Sequence, residues 1–359
     1  MKILHCINSP HIGGIERLVI ELAIEQKKQG IDVSVMLDSL EGQYYEYLLS
    51  QNIPILESEV KGGFDMSLRT YKNLKTAFKV FQIIHLHNFS PIRSMAAKAS
   101  KVKIVYTIHG LSKGIRNESK IKTVIREAIK TYYLNRVDIL VANSEYTLGL
   151  AIAGYGLKHI NKLVVLNGIK LPKDTLTGNN SSQDFNIGLV SRFTPRKRID
   201  RLIEAFKLFL DKGGKGRLIL VGDGSTFQVI NELITKLEIG DFIDVLGYQS
   251  KVEDYYKTFN VCVFPSEHEP FGLVAVEAYL HGKPVLAFND SGGLKEVVAP
   301  LEPENIVDTE NELAERLIWC LQNKDKIQQN SEKRIQYAQN NFSIERMERD
   351  YYNVYKNIL

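Results

Sequence analysis

Two glutamates, Glu269 and Glu277, are separated by seven residues in the stretch PSEHEPFGLVAVEA, which runs from Pro265 to Ala278. Paired carboxylates serve either as the acid and base of a glycoside-cleaving enzyme or as acceptors for the hydroxyls of a bound ligand. Pro265, Pro270 and Gly272 place Glu269 in a loop, whereas FGLVAVEAYLHG has helical period and stops at Gly282. A helix beginning near Phe271 puts Glu277 about six residues along it, roughly 9 Å up the axis. That is too far for the ~5–5.5 Å of a retaining hydrolase pair, while the ~6.5–9.5 Å of an inverting pair stays open. The helix start between them suggests a different chemistry. Unpaired amides at Phe271, Gly272 and Leu273 would attract an anion, helped by the helix dipole. A phosphate there, with a carboxylate on either side, fits a nucleotide diphosphate whose sugar hydroxyls the carboxylates hold. The blander alternative is a surface helix glutamate and a glutamate capping a helix.

Cations follow the same logic. In SRFTPRKRIDRL (191–202), Arg192 ends a strand and Lys197 lies five residues on, across a turn at Pro195 and just before a helix. Two cations so placed would neutralise a diphosphate and the charge it gains as a leaving group. Arg196, Arg198 and Arg201 blur this signal, because a basic run is usually a solvated face. Gly13-Gly14 opens the first helix and allows close backbone approach to a ligand, but the segment is not G-x-G-x-x-G. GDGST (222–226) reads as a tight strand-to-helix turn. His109 ends the strand KIVYTIH and should point toward a ligand site, whereas His85 and His87 alternate along a strand and read as structural. The chain has no Asp-x-Asp, so the leaving diphosphate is expected to rely on Arg192, Lys197 and helix amides, with no metal and no cofactor. Cys6, Cys262 and Cys320 lie in apolar runs without metal-ligand spacing and read as core residues.

The elements that must position these residues alternate along the chain. Strand candidates are 2–8, 32–37, 83–88, 103–109, 138–144 and 162–168, with helical segments such as IERLVIELAIEQKKQG between them. A stretch rich in Gly, Asn and Ser, residues 170–184, breaks the pattern. Strands resume at 186–193, 216–224, 243–248, 261–266 and 284–289. The expected fold is α/β: two Rossmann-like, doubly wound domains, 1–169 and 185–335, joined by the linker 170–184 and followed by a C-terminal helical segment. Residues 336–359 are expected to pack back on the N-terminal domain, and the last fifty residues to form two or three helices. Ligands of open parallel sheets bind beyond the strand C-termini, so the chemistry is expected in the cleft between the domains.

Taken together these residues resemble family 4 of the retaining glycosyltransferases, which have the GT-B fold. PSEHEPFGLVAVEAYLHGKPV resembles the family's P-S-x-x-E-P-F-G-L-x-x-x-E-A-x-x-x-G-x-P-V run, and SGGLKEVV (291–298) its G-G-x-x-E segment. SRFTPRK is similar to the Arg-x4-Lys pair, NGI (167–169) to the end of the first domain, and IGGIERL to the N-terminal glycine loop. The resemblance covers essentially the whole chain. It implies that Arg192 and Lys197 bind the donor diphosphate, that Glu277 holds the ribose and that Glu269 holds the transferred sugar. It further implies support from the amides of Phe271, Gly272 and Leu273, approach of Gly13 and Gly14 to the phosphate, and contact of His109 with the donor sugar near the reacting carbon. Transfer with retention, the leaving phosphate helping to deprotonate the acceptor, needs no metal. Base recognition is expected from backbone around Gly247 and Tyr248. Three departures stand out: Ser191 and Arg198 where the family often has glycines, and APLEPENIV in place of a glycine-rich strand.

Charge is uneven. Residues 1–183 carry 24 Lys and Arg against 15 Asp and Glu, net +9, while residues 184–359 carry 22 against 27, net −5. SKIKTVIREAIKTYYLNR (119–136) mixes cations with apolar residues at helical spacing, so this helix is expected to dock on an anionic membrane surface and present a lipid-linked glycan acceptor. An ordinary helix packed on the sheet with a solvated basic face is the alternative. The absence of a long apolar run and of a signal peptide leads to the expectation of a cytoplasmic protein, peripheral on the membrane, with no nucleic-acid partner. The activity expected is transfer from a UDP- or GDP-sugar to a glycan or lipid-linked glycan in surface polysaccharide or lipopolysaccharide synthesis. A sugar-nucleotide epimerase of the same fold and a non-catalytic sugar-nucleotide-binding protein are the alternatives.

Overall fold

The computed structural model describes the chain except residues 9, 10, 12, 63, 64, 66, 112–119, 158, 159 and 172–184. Most of the expected linker 170–184 therefore lies outside the described residues. The chain divides into two compact units, Met1–Lys170 with Ser343–Leu359, and Leu171–Phe342.

The first unit contains β1 (Lys2–Cys6), α1 (Gly14–Lys28), β2 (Asp32–Leu37), α2 (Gln43–Ser50), β3 (Ile55–Glu57), α3 (Leu68–Phe78) and β4 (Ile83–Leu86). It continues with α4 (Pro91–Ser100), β5 (Lys103–Ile108), α5 (Lys120–Leu134), β6 (Ile139–Ala142), α6 (Glu145–Tyr155) and β7 (Asn161–Val164). The strands form one parallel sheet in the order β3-β2-β1-β4-β5-β6-β7. Its central strands are buried along their whole length, which is why they read as unbroken apolar runs rather than alternating ones. The topology reverses between β1 and β4, and their register pairs His5 with His85.

The second unit contains β8 (Asn186–Val190), α7 (Ile199–Asp211), β9 (Arg217–Val221), α8 (Phe227–Lys236), β10 (Ile243–Val245), α9 (Val252–Thr258), β11 (Val261–Phe264) and α10 (Leu273–Leu280). After these come β12 (Val285–Phe288), α11 (Gly293–Val298), β13 (Ile306–Val307), α12 (Glu310–Gln322), α13 (Lys324–Gln329) and α14 (Ser331–Phe342). Its parallel sheet has the order β10-β9-β8-β11-β12-β13, so the reversal falls between β8 and β11. Phenylalanines 185, 193, 206 and 209 fill the layer between this sheet and α7.

Four helices, rather than two or three, occupy the last fifty residues, because Asn323, Asn330 and Ser343 interrupt the helical run. The final one, α15 (Ile344–Ile358), begins where the Ser343 side chain accepts from the Arg346 amide. It buries Ile344, Met347, Glu348, Tyr351, Val354 and Tyr355, the i, i+3, i+4 spacing of a single apolar face. That face completes the core of the first unit around Ile3, Leu18, Leu22 and Val105. Residues 336–342, expected to join the first domain, are instead the end of α14 in the second unit. Return to the first unit requires a glycine at 168: a Cβ there would lie 2.4 Å from the Ser343 carbonyl oxygen. The short edge strands β3 and β13 escaped sequence reasoning because two or three residues carry no period. In particular the last two residues of APLEPENIV, a segment without the glycine-rich pattern, still form β13 and pair with β12.

Candidate functional site

In the second unit the candidate residues gather at the reversal of the sheet, the place where open α/β sheets bind ligands. Arg192 and Lys197 follow β8, and Glu269 and Glu277 follow β11. The loop after β8 is tied to the loop after β9 by hydrogen bonds from the Phe193 amide to the Asp223 carbonyl at 2.8 Å and from the Thr226 amide to the Phe193 carbonyl at 3.1 Å. Phe193 is buried and stacks on Phe227, which anchors the loop and leaves its neighbour Arg192 exposed. Arg192 forms no ion pair among the described residues.

Lys197 ends a single 3-10 turn, Pro195–Lys197, and its ammonium reaches Glu269 Oε2 at 2.8 Å. Arg196 stands 3.9 Å from the other carboxylate oxygen. The remaining arginines of the basic run have structural partners. Arg198, in the left-handed conformation, binds Asp200 and Glu267, and Arg201 stacks on Phe288 while binding Asp290 and Glu310. Their partners thus separate Arg198 and Arg201 from Arg192 and Lys197, which composition could not do.

Glu269 is fixed by backbone. Its amide donates to the Ser291 carbonyl at 3.0 Å and its carbonyl accepts from the Gly293 amide at 2.7 Å. The E-P-F-G and S-G-G-L segments, distant in sequence motif, therefore meet in space. Gly272 sits at φ +97° before α10, and a Cβ on it would come within 2.5 Å of Leu294. Only glycine satisfies both the backbone and this approach.

Helix α10 begins at Leu273, not at the expected Phe271. Leu273 is accordingly the only one of the three expected amides inside the helix. Phe271 is buried with its ring edge-on to Phe342 at 5.8 Å, a packing role that its place in the motif did not disclose. Glu277 is only four residues up the helix, about 6 Å along its axis. The buried Tyr256 hydroxyl donates to Glu277 Oε2 at 3.3 Å, and His281 bonds the Glu277 carbonyl at 2.8 Å while stacking on Tyr256. Neither partner was apparent beforehand, since Tyr256 comes from α9 and contributes no motif. Tyr248, 72% exposed, follows β10 beside Gly247, whose carbonyl accepts from the Gly222 amide.

In the first unit, Gly13 caps α1 in extended conformation and Gly14 is the first helical residue. The space a Gly13 Cβ would fill is taken by the Glu16 carboxylate, 2.1 Å from that position, whereas nothing lies within 4 Å of a Cβ on Gly14. His109 follows β5, is partly exposed, and joins its Nε2 to His87 Nδ1 at 3.1 Å. His87 continues to His5 at 2.9 Å and His5 to Gln26 at 2.8 Å. Burial lowers the pKa of His5 and His109 to about 4 and that of His85 and His87 well below the usual value, so all four rings are neutral at pH 7. All three cysteines are buried, and burial pushes each thiol up to about 12.

Two families match in tandem: Glycosyltransferase Family 4 over residues 12–172 and Glycosyl transferases group 1 over residues 177–341. The chain belongs to the family 4 type glycosyltransferases with the GT-B fold. An uncharacterized glycosyltransferase of Methanocaldococcus jannaschii is 28% identical over 344 residues, covering 90% of each chain. The capsular polysaccharide biosynthesis glycosyltransferase CapM of Staphylococcus aureus is 26% identical over 298 residues, covering 76% of this chain and 75% of its own. The crystal structure of Anabaena Alr3699/HepE in complex with UDP has the same fold, with a TM-score of 0.82 at 21% identity over 99% of this glycosyltransferase and 100% of that chain. No helix of the described residues is long and apolar enough to cross a membrane.

Proposed function

We propose that this glycosyltransferase moves a sugar, with retention and without a metal, from a nucleotide diphosphate sugar to a glycan or lipid-linked glycan of a surface polysaccharide or lipopolysaccharide. The observation that carries the donor site is the convergence of Arg192, Lys197, Glu269 and Glu277 at the β8/β11 reversal. Arg192 and Lys197 are the cations for the diphosphate, and the Leu273 amide at the start of α10 lies where anions are favoured. Glu277, steadied by Tyr256, accepts from the ribose hydroxyls. Glu269 accepts from hydroxyls of the sugar, for which its ion pair with Lys197 must open or share. Backbone near Tyr248 meets the base. In the first unit His109 meets a substrate hydroxyl, and the turn at Gly13 and Gly14 meets phosphate once the Glu16 side chain has moved aside. A UDP-sugar is the favoured donor, supported by the complex of Anabaena HepE with UDP-glucose and by the CapM relative's role in capsular polysaccharide.

Thermal-shift measurements with UDP- and GDP-sugars test the donor. A ligand at 100 times its Kd stabilises by about 2.7 kcal/mol, and a null result with both nucleotides refutes the proposal. The anomeric configuration of the product, read by NMR, tests retention. Full activity in chelator tests metal independence. Membrane docking in the cytoplasm is proposed for α5, on which Val124 and Ile125 are exposed beside basic residues. Sedimentation with anionic vesicles at low salt tests it, and no binding refutes it.

A further inference from the structure

The first unit buries three histidines, His5, His85 and His87, whose ligand atoms all lie within 4.8 Å of one another. Such a cluster resembles a metal site, but its hydrogen bonds point to another use. His85 bonds Tyr355 through Nδ1 and Thr107 through Nε2, each at 2.7 Å. His5 bonds His87 and Gln26, and His87 bonds His5 and His109. All six ring nitrogens of the three residues are therefore already engaged.

A neutral imidazole carries one N–H, so it donates through one nitrogen and accepts through the other. Rings linked in series must then all point the same way. Gln26, itself fully buried on α1, presents its amide oxygen Oε1 to His5 Nε2. An oxygen only accepts, so His5 carries its proton on Nε2. His5 Nδ1 consequently accepts from His87 Nε2–H, and His87 Nδ1 accepts from His109 Nε2–H. All three ring protons are then placed on Nε2 and none is left for His109 Nδ1, which has no hydrogen-bond partner among the described residues. Reversing the Gln26 amide would reverse every bond and leave His109 with Nδ1–H.

We propose that Gln26, His5 and His87 are positioning residues that hold His109 in its Nε2–H form, so that Nδ1 meets a substrate hydroxyl as a hydrogen-bond acceptor. This rests on the reading of His109 as a substrate-facing residue. The chain of bonds crosses from α1 through β1 and the loop after β4 to the end of β5, so a helix far in sequence determines what His109 offers. His5 and His87 are buried while His109 is partly exposed, and beside them Tyr351 and Tyr355 of α15 bond Thr107 and His85. The groups that hydrogen-bond these histidines from other elements, Gln26, Tyr355 and Thr107, are uncharged.

Selective labelling of histidine with nitrogen-15 and long-range proton–nitrogen correlation spectra distinguish protonated from unprotonated ring nitrogens. In the full-length wild-type protein at neutral pH, His5, His87 and His109 should each carry the proton on Nε2. His109→Ala identifies its signals. Gln26→Leu, which removes the amide oxygen but keeps an apolar filling, should give mixed tautomers at His109. It should also lower kcat/KM by roughly two- to tenfold, the worth of one oriented neutral hydrogen bond. Protonation of His109 on Nδ1 in the wild type overturns the proposal, as does an unchanged His109 spectrum in Gln26→Leu. Should that variant fail to fold, the wild-type spectrum decides alone. One transition-metal ion per chain in the purified protein also overturns it. If the tautomers are as stated but His109→Ala leaves the transfer kinetics unchanged, the substrate-facing reading of His109 fails while the hydrogen-bond chain stands.

Discussion

Replacing Lys197 with Met separates the structural and the catalytic worth of the ion pair at the centre of the site. Its Nζ lies 2.8 Å from Glu269 Oε2, and the two side chains are only 12% and 13% exposed. At an effective dielectric of about 20, opposite charges at this distance attract by roughly 6 kcal/mol before desolvation is subtracted. Desolvation offsets most of that, leaving a coupling of about 0.5–3 kcal/mol in a double-mutant cycle of Lys197→Met and Glu269→Gln, read as urea unfolding of the second unit. Catalysis should lose more than stability does. A charge-assisted hydrogen bond to a diphosphate is worth about 1.5–3 kcal/mol, so kcat/KM for the donor should fall roughly 10- to 150-fold. The two residues are assigned to different parts of the donor, the diphosphate and the sugar, so their effects on kcat/KM should be closer to additive than their effects on stability. If Lys197→Met unfolds earlier yet stays within about threefold of wild type in kcat/KM, the pair is only structural. The donor assignment would then be wrong.

Acid should weaken the first unit through its histidines. The folded pKa of His5, about 4, lies below the usual 6.5, so the unfolded chain takes the proton first. This stability is fully present above pH 6.5 and is lost as pH falls toward 4, amounting to about 2 kcal/mol at pH 5 for His5 alone. Urea midpoints at a series of pH values should slope in that window, and His5→Gln should flatten the slope. Glu348 is buried in α15 with Oε1 unpartnered, and burial, then the Glu25 carboxylate, raises its pKa. Glu348→Gln should therefore raise the melting temperature of the first unit, by roughly 1 kcal/mol of stability. Gly272→Ala combines positive φ with a 2.5 Å approach to Leu294. It should cost about 1–3 kcal/mol and displace the start of α10, seen as a lower melting temperature and weaker donor binding.

Much of this molecule was legible in its residues. Continuous apolar runs separated by amphipathic segments specify parallel strands and covering helices, because those periods follow from local backbone geometry. The P-S-x-x-E-P-F-G-L block and the Arg-x4-Lys pair named Arg192, Lys197, Glu269 and Glu277, since charge type and spacing are properties of the chain itself. Other facts had no local signature. Which arginines of 192–201 are sequestered depends on Asp290, Glu310 and Phe288, which lie far along the chain. The start of α10 at Leu273 reflects the positive φ of Gly272 and its contact with Leu294, which outweigh the helical period that begins at Phe271.

The histidines mark the same division most clearly. Composition and alternation placed His85 and His87 on one strand and His109 at the end of the next, because strand period is local; β4 in fact ends at Leu86, so His87 falls just beyond it. Their connection to His5 and Gln26 arises only when β1, β4 and β5 pair in register and α1 covers them. Hydrogen-bond direction then passes from ring to ring through space, and no spacing in a linear chain encodes that path.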